Sequence, residues 1–595
     1  MSWRDNPLVF LTEKTWKYSK GNRKNVVLYF ILFVFANSIA LAETLVIGVL
    51  LNVIQVEGVT QDNFTKLLLY LGLIIGVNAA FWFFHGPARV LETVNAFIAN
   101  ANYKEHLLAG TMALPVEWHT DHHSGDTIDK IEKGTTALYN FAENTFLIIE
   151  SIVKLIGSYI ALVYFNVSSA YIVVIVVALT VWLILRFDKV LVGQYARLFS
   201  AQNKISAKVY DALSNIVTVI ILRVEKPVLQ AIAKRMHQPL TLFKENSRIN
   251  EMKWFLVTMC ATLMIFFILG SYLYINLIAG TAIAIGTLYA LYGYVERINS
   301  LFYRFAFMYG DIVRYKTQVM NAEIIAKEFK DKLNFKEVTF GKHWEQLEIS
   351  DLNFSYADAG KHMHLNKVNL SIKRGEKIAL VGASGSGKTT LLKIIRGLYE
   401  PQKLKLSVDG KILPHGFNDI SHEISLIPQE PEIFATTIKE NITVGIDRPL
   451  AEVKWFTDLA RFTEVAERLP KKFDSSVVEK GVNLSGGEKQ RLALARGLMA
   501  SEDKAIVLLD EPTSSVDFRN EMHIYENVFK EFKDKAVISS IHRLHLLPLF
   551  DRIYVFSRGK VVTSGSFKDL LKKSPDFQEI WDKYNSTLPK AERRK

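Results

Sequence analysis

The chain has 595 residues, 49% of them hydrophobic, with 72 Lys and Arg against 60 Asp and Glu for a formal net charge of +12. That length admits more than one domain, and the apolar share is high for a soluble protein of this size. One cysteine, Cys260, excludes an intrachain disulfide framework, and basic residues that are spread out rather than gathered in a tract favour membrane-flanking segments over a nucleic-acid surface.

Residues 1–25, "MSWRDNPLVFLTEKTWKYSKGNRKN", mix Trp3, Phe10 and Trp16 with basic residues and predict an amphipathic segment lying on the membrane. "ALAE" at 40–43 resembles a signal-peptidase site, but apolar sequence resumes at Thr44 and runs to Val56, so an uncleaved signal anchor is expected. Six segments are long and apolar enough to span a bilayer: 26–54, 66–86, 142–165, 168–187, 254–277 and 281–308. The N-terminal segment and the links 88–140 and 188–253 are rich in Lys and Arg, whereas the links after the first, third and fifth segments carry none before Lys66. The positive-inside rule then puts both termini and the long links in the cytoplasm. These links are helical in pattern and low in proline, so the spans are expected to continue into the cytoplasm. Residues 312–346 predict a charged linker, helical and then irregular. From Leu347 short strands and helices alternate. The predicted fold is therefore multi-domain, an all-α six-helix transmembrane domain over 26–311 followed by an α/β P-loop domain over 347–595.

"KIALVGASGSGKTTLLKIIRGL" carries G-x-x-x-x-G-K-[ST] at Gly382, Gly387, Lys388 and Thr389, with an apolar strand before it and a helical pattern closed by Gly397 after it. In that setting the loop Gly382-Ala383-Ser384-Gly385-Ser386-Gly387 wraps phosphates with backbone N–H groups. Lys388 supplies charge for the β and γ groups, Thr390 follows in the same turn, and the Thr389 hydroxyl is a Mg²⁺ ligand. "AIVLLDEP" reads as a buried strand ending in Asp510, a second Mg²⁺ ligand, and Glu511, which polarises the attacking water. "AVISSIHRLH" is a further buried strand ending in His542, a donor toward the γ-phosphate. "GVNLSGGEKQRLALARG", 481–497, places two glycines before a helix that is expected to finish near Gly497, a second anion cradle in one chain.

With these motifs the chain resembles, over essentially its full length, an ATP-binding cassette (ABC) transporter of the exporter type, six spans and one nucleotide domain, and "LSGGE" at Leu484–Glu488 is that family's signature. The resemblance implies ATP and Mg²⁺ as cofactors and a half-transporter that works as a dimer. In it Ser485, Gly486, Gly487 and Glu488 act in trans on the partner's nucleotide, which accounts for the second cradle. It also implies an adenine-stacking role for Tyr356, Mg²⁺ sensing by Gln429, and contact with the intracellular helices by Glu479. Asp517 matches the aspartate that communicates across the dimer, and residues 118–131 and 210–214 match coupling segments. Val478, Glu488 and "SSVD" depart from commoner family residues. No catalytic position is degenerate, which favours a homodimer over a heterodimer. The implied function is ATP-driven export or flipping of an amphiphile (lipid, peptide or drug-like) by alternating access. An importer of the same fold and an ATP-gated channel or regulator are the alternatives. The expected setting is a multi-pass protein of the plasma (inner) membrane in contact with membrane lipid, with its nucleotide domain in the cytoplasm and no nucleic-acid partner.

Other constellations carry less. His119, His122 and His123 with Asp121 fall in the coupling segment and lack zinc-ligand spacing; His362 and His364 read as surface residues. Within the spans, Glu150 and Lys154 are spaced to pair with each other. Glu43, His85, Arg89, Glu296 and Arg297 are candidates to line a substrate path, because charge at bilayer depth faces a cavity or a partner. Tyr289, Tyr292 and Tyr294 are expected either to line that cavity or to pack.

Overall fold

The structure is a computed structural model that describes residues 6–122, 124–329, 344–356, 363–477 and 484–587. It divides into two compact units, Met1–Ala113 with His123–Phe329, and Leu114–His122 with Lys330–Lys595.

The first unit is helical. In chain order come α1 (Pro7–Tyr18), α2 (Arg23–Ala40), α3 (Ala42–Glu57) and α4 (Gln61–Met112). Past the short α5 (Val116–Asp121), which groups with the second unit, follow α6 (Ser124–Glu143), α7 (Thr145–Phe165), α8 (Ser169–Ser214), α9 (Ile216–Ile221), α10 (Glu225–His237), α11 (Leu240–Ala279) and α12 (Ile285–Lys327). Five stretches among the described residues are long and apolar enough to cross a bilayer: Arg23–Glu57, Gln61–Met112, Ser124–Phe165, Ser169–Ser214 and Glu225–Ala279. The sixth expected span, on α12, is helical from Ile285 but falls short of that apolarity, with Glu296, Arg297 and Asn299 in its upper half. At 52 residues α4 alone is about 78 Å long, more than twice a bilayer's hydrocarbon thickness, which is long enough for the expected continuation past the membrane.

Two of these helices break, and intramembrane polar residues meet the breaks. Freed backbone groups away from water need partners. At Leu41, between α2 and α3, Tyr294 Oη donates to the Leu41 carbonyl at 2.9 Å and Arg297 Nη1 to that of Ala40 at 3.1 Å. At Asn144, between α6 and α7, the buried Glu92 accepts the Phe146 N–H at 2.7 Å, while Arg89 bonds both Glu92 and the Glu143 carbonyl. Glu150 does pair with Lys154, at 2.5 Å, and also takes Arg304 at 2.6 Å. Nothing in the sequence pattern singled out the buried Lys253–Asp188 pair, 3.1 Å, which joins α11 to α8. Tyr294 is thus a packing residue and Tyr289 and Tyr292 are not: they stay 37% and 46% exposed on the same helix.

Helices α3 and α12 approach unusually closely. A Cβ on Gly286 would overlap the Gly48 carbonyl, and one on Gly293 would lie 2.8 Å from Thr44 Cγ2. Asn52 Oδ1 accepts the Gly286 N–H at 2.7 Å, Gln55 Oε1 accepts that of Ile285 at 2.7 Å, and Gln55 Nε2 donates to the Ile283 carbonyl at 2.8 Å.

The N-terminal helix has a protein-facing side: Leu11, Thr15 and Tyr18 are buried against α4, α6 and α12, while Trp16 stays exposed. Tyr18 packs on Tyr103 of α4 with ring centroids 4.4 Å apart, and Lys14 pairs with Glu323 of α12 at 2.5 Å. An amphipathic period says only that one face is covered, and here helices cover it.

The second unit is α/β. Its strands are β1 (Gln346–Phe354), β2 (Leu365–Lys373), β3 (Lys377–Gly382), β4 (Lys403–Val408), β5 (Lys411–Ile412), β6 (Ile424–Ile427), β7 (Ile506–Asp510), β8 (Ala536–Ser540), β9 (Arg552–Ser557) and β10 (Lys560–Gly565). A four-stranded antiparallel sheet runs β2-β1-β4-β5 and a six-stranded sheet runs β10-β9-β3-β8-β7-β6, in which only the β10–β9 pairing is antiparallel. β7 and β8 are buried at every residue, which is why they read as unbroken apolar runs rather than alternating ones. Register pairs Leu380 with Ser540, Ser540 with Asp510, and Leu509 with Ile427. The carboxyl ends of β3, β8, β7 and β6 therefore lie side by side, the edge where open parallel sheets bind ligands.

The signature helix meets its expectation: it opens at Gly486 and finishes at Ala500, with Gly497 in its last turn. An added Cβ would meet Ile427 Cγ1 at 2.5 Å and Cδ1 at 2.7 Å, so this glycine lets the helix press onto β6. Gly497→Ala is expected to destabilise the protein by about 1–3 kcal/mol, because the β-branched Ile427 is stiff and itself buried. Thermal unfolding of the detergent-solubilised chain measures it, and an unchanged midpoint would contradict the packing role.

Candidate nucleotide site

Between β3 and the following helix Lys388–Ile395, the chain turns through the glycine-rich loop. Gly387 caps that helix at φ 105°, where a Cβ would also lie 2.8 Å from Leu365 Cδ2 and 3.1 Å from the His364 carbonyl, so only glycine fits. Lys388 Nζ donates to the Gly382 carbonyl at 2.9 Å and the Ala383 carbonyl at 3.2 Å. Burial lowers its pKa, and the Glu511 and Asp510 carboxylates oppose that shift. The Ser386 hydroxyl is buried with no hydrogen-bond partner, a donor left over inside the loop. Thr389 Oγ1 donates to Asp510 Oδ1 at 3.0 Å, and Ser540 Oγ donates to the same oxygen at 2.7 Å. An acidic oxygen, a hydroxyl and an adjoining cradle of N–H groups are the hard-oxygen and anion-binding chemistry that a Mg²⁺-bound polyphosphate requires.

Glu511 follows Asp510 in the left-handed region, at φ 47°, with its N–H donating to Ser540 Oγ at 3.1 Å. This turn directs its carboxylate to groups from two other strand ends. His542 Nε2 is 2.8 Å from Oε1, and Gln429 Nε2 donates to Oε2 at 3.0 Å. Burial raises the Glu511 pKa; His542 pulls it down, Asp510 pushes it up and Lys388 pulls it down again. The five side chains expected from separate motifs, Lys388, Thr389, Asp510, Glu511 and His542, are thus brought together with Gln429 at one sheet edge.

Tyr356 stands at the end of β1, edge-on to Phe354, His364 and Tyr399 at ring-centroid distances of 4.8, 4.8 and 5.2 Å, its hydroxyl 3.5 Å from that of Thr390. His364 is therefore part of this aromatic group and not a bare surface residue. Ser485 caps the signature helix in a reciprocal box: its Oγ accepts the Glu488 N–H at 3.3 Å, and Glu488 Oε2 accepts the Ser485 N–H at 2.9 Å. Arg468 holds the other Glu488 oxygen at 2.5 Å. A glutamine would close the same box, so the acidic variant at 488 needs no other account. A Cβ on Gly487 would come 2.7 Å from the Ser515 carbonyl, and Gly486 lies beside it at the helix start. Asp517 caps the helix Phe518–Glu531 by accepting the Asn520 N–H at 3.1 Å. Glu479, Val478, His123 and His362 lie outside the described residues. The ring of His122 stacks on Trp118 at 4.2 Å.

Comparison with known families covers both units. Residues 26–296 match the model of the ABC transporter transmembrane region, and residues 365–514 match that of the ABC transporter. The chain belongs to the ABC transporter family. The transporter is 38% identical over 238 residues to the "ABC-type transporter MDR1" of Aureobasidium melanogenum, a stretch covering 39% of this chain and 18% of that one. It is 34% identical over 246 residues to an "Uncharacterized ABC transporter ATP-binding protein" of Haemophilus influenzae, 40% of this chain and 39% of that one. It therefore spans well under two thirds of the curated relatives it matches. A solved structure titled "Structure of a bacterial Atm1-family ABC exporter with ATP bound" superposes with a TM-score of 0.80 at 20% identity, over 95% of this chain and 100% of the other, and so shares the fold.

The transporter's site also rests on residues that no motif announced. Gln490 of the signature helix donates to Ser514 Oγ at 2.7 Å and accepts the Ser515 N–H at 2.7 Å, tying that helix to the loop after Glu511. Glu521, 3% exposed, accepts from Thr513 Oγ1 at 2.6 Å and from Arg543 Nη1 at 3.2 Å. Arg543, next to His542, also donates to the carbonyls of Val516 and Ser514 at 2.6 and 3.0 Å. The only sequence signal for this network is an acid at a helix position facing inward, three residues before Ile524, and that is visible only once the helix is known to be amphipathic.

Proposed function

We propose that this transporter hydrolyses ATP to export or flip an amphiphilic substrate by alternating access, as a homodimer in the plasma membrane with its nucleotide domain in the cytoplasm. The observation that carries the reading is the convergence of Lys388, Thr389, Asp510, Glu511, His542 and Gln429 at one sheet edge, in a chain whose other unit supplies membrane-length helices.

In this reading Lys388 exchanges the Gly382 and Ala383 carbonyls for phosphate oxygens, and Ser386 with the loop N–H groups completes the cradle. Thr389, Asp510 and Gln429 would hold Mg²⁺, which when bound neutralises developing phosphate charge. Glu511 orients the attacking water and accepts its proton, and His542, within bonding distance of that carboxylate, donates to the γ-phosphate. Tyr356 stacks on adenine. Ser485 and the N–H groups of Gly486 and Gly487 face the partner's nucleotide across the dimer, with Glu488 fixing the cap.

The test uses proteoliposomes with the nucleotide domains outward and ATP supplied only outside. ATP-dependent accumulation of a fluorescent amphiphile inside, absent with a nonhydrolysable analogue, is the expected result; ATP-dependent loss of preloaded compound would mean import. A mixed dimer of Lys388→Ala and Ser485→Arg chains tests the shared site. It is expected to trap one nucleotide per dimer, while each mutant homodimer traps none, because both lesions can fall in a single composite site. Trapping no higher than in the homodimers would sink the trans assignment.

A further inference from the structure

Between α3 and α12 lies a cavity of about 360 Å³ lined by Glu43, Thr44, Ile47, Tyr289, Tyr292, Gly293, Glu296, Arg297 and Ser300. Of these, Glu43, Tyr289, Tyr292, Glu296 and Arg297 set its chemistry. Counting 1.5 Å per residue, Glu296 lies about 16 Å from the start of α12 and Glu43 about 21 Å from the end of α3, both less than the roughly 30 Å that a bilayer's hydrocarbon core covers. A carboxylate at that depth is retained where it meets a cation or a ligand.

Only one of the two carboxylates has its cation. Arg297 Nη2 is 3.6 Å from Glu43 Oε2, and its Nη1 is spent on the Ala40 carbonyl at 3.1 Å. Among the described residues Glu296 has neither an ion pair nor a hydrogen bond, and its side chain is exposed to the cavity. Two further cations, Lys154 of α7 and Arg304 of α12, both close on Glu150, at 2.5 and 2.6 Å, two turns further along α12. The lining therefore carries one unbalanced negative charge. Beside it on α12, Tyr289 and Tyr292 stand one turn apart and partly exposed, aromatic rings of the kind that attract a cation, and Ile47 adds apolar wall. A hard inorganic cation wants six or more oxygens and would gain nothing from rings. A volume of this size suits a small organic ion.

We infer that this cavity is a binding site for an organic monocation with an apolar body, its charge matched by Glu296 and its surface packed on Tyr289 and Tyr292. The inference rests on the transport reading for its purpose, since it names the class of amphiphile carried, but the binding it asserts is measurable without transport.

Tetraphenylphosphonium and tetraphenylborate make the decisive pair, because they share size and shape and differ in sign. Binding of each to the full chain in phosphatidylcholine nanodiscs, without nucleotide, is measured by equilibrium dialysis, with empty nanodiscs subtracted. The cation is expected to bind at least roughly tenfold more tightly than the anion. Glu296→Gln is expected to abolish that preference and Glu296→Asp to keep it. Tyr292→Leu, which keeps apolar bulk, is expected to weaken the cation several-fold through loss of the ring face, and it serves if the charge variant does not fold. Equal affinities, an anion preference, or a cation preference untouched by Glu296→Gln or by Tyr292→Leu would each overturn the inference. ATP hydrolysis by the same wild-type nanodiscs separates the two claims. Hydrolysis without cation preference sinks only the site, and cation preference without hydrolysis sinks only the proposed engine.

Discussion

Glu511→Gln is expected to lower steady-state ATP hydrolysis by about a hundredfold or more while leaving nucleotide affinity within a few-fold of the parent. The amide keeps the shape and can still meet Gln429 and His542, which lie 3.0 and 2.8 Å from the two carboxylate oxygens, but it cannot accept a proton from water. Product release is not reached, so the variant should accumulate a nucleotide-bound dimer, read by retained radiolabelled ATP after gel filtration. A pH profile sharpens the test. Burial raises the Glu511 pKa, so the carboxylate that serves as base is lost on acidification at a higher pH than an ordinary glutamate would show. The parent's rate should fall on that limb and the residual rate of the glutamine variant should not. Near-parental turnover in the variant would remove Glu511 from the chemistry.

The second large effect is on stability. Arg543→Ala is expected to cost about 3 kcal/mol, because it takes the guanidinium from the buried Glu521 carboxylate, leaving it the Thr513 hydroxyl and the His545 ring at 3.3 Å, and leaves the carbonyls of Ser514 and Val516 without their donor. Adding Glu521→Gln to that variant removes the buried charge that has lost its guanidinium and should restore part of the loss, which a purely additive pair would not do. The full detergent-solubilised chain, unfolded thermally with and without ATP, provides the comparison. The loop 511–517 hangs from this pair, so ATP hydrolysis should also fall in Arg543→Ala although the residue touches no nucleotide. Single and double variants with equal midpoints would show that the pair is not coupled.

The parts of this molecule that were legible in its sequence are those whose chemistry is local. The phosphate loop needs its glycines and lysine within eight consecutive residues, and Asp510 and His542 follow runs so apolar that a buried parallel strand is the natural reading. Once those strands share a sheet, the carboxyl edge gathers the site with no further information. What stayed hidden depended on partners distant in the chain. An amphipathic period at residues 7–18 cannot say whether lipid or α4 covers the apolar face. Gly497 marks the last turn of its helix in the sequence, and only the approach of Ile427 shows why a glycine is needed there. Tyr289, Tyr292 and Tyr294 are alike in a sequence; 100° of rotation per residue separates the one that bonds Leu41 from the two that do not. Glu521 is an acid on a helix until the helix is packed.

The contacts between α3 and α12 set a limit on how this machine can move. With Gly48 against Gly286 and three hydrogen bonds joining Asn52 and Gln55 to residues 283–286, any shear along that seam would drive two closely packed main chains against each other or give up those bonds. The two helices therefore travel as one splint, and the carboxylate and rings they carry keep their spacing at every stage of the cycle. A site on a wall that does not flex cannot lose its cargo by reshaping itself. Release then depends on other helices withdrawing from this wall and letting water reach Glu296, so substitutions outside the lining of the site itself that alter how readily cargo leaves should map to helices other than these two.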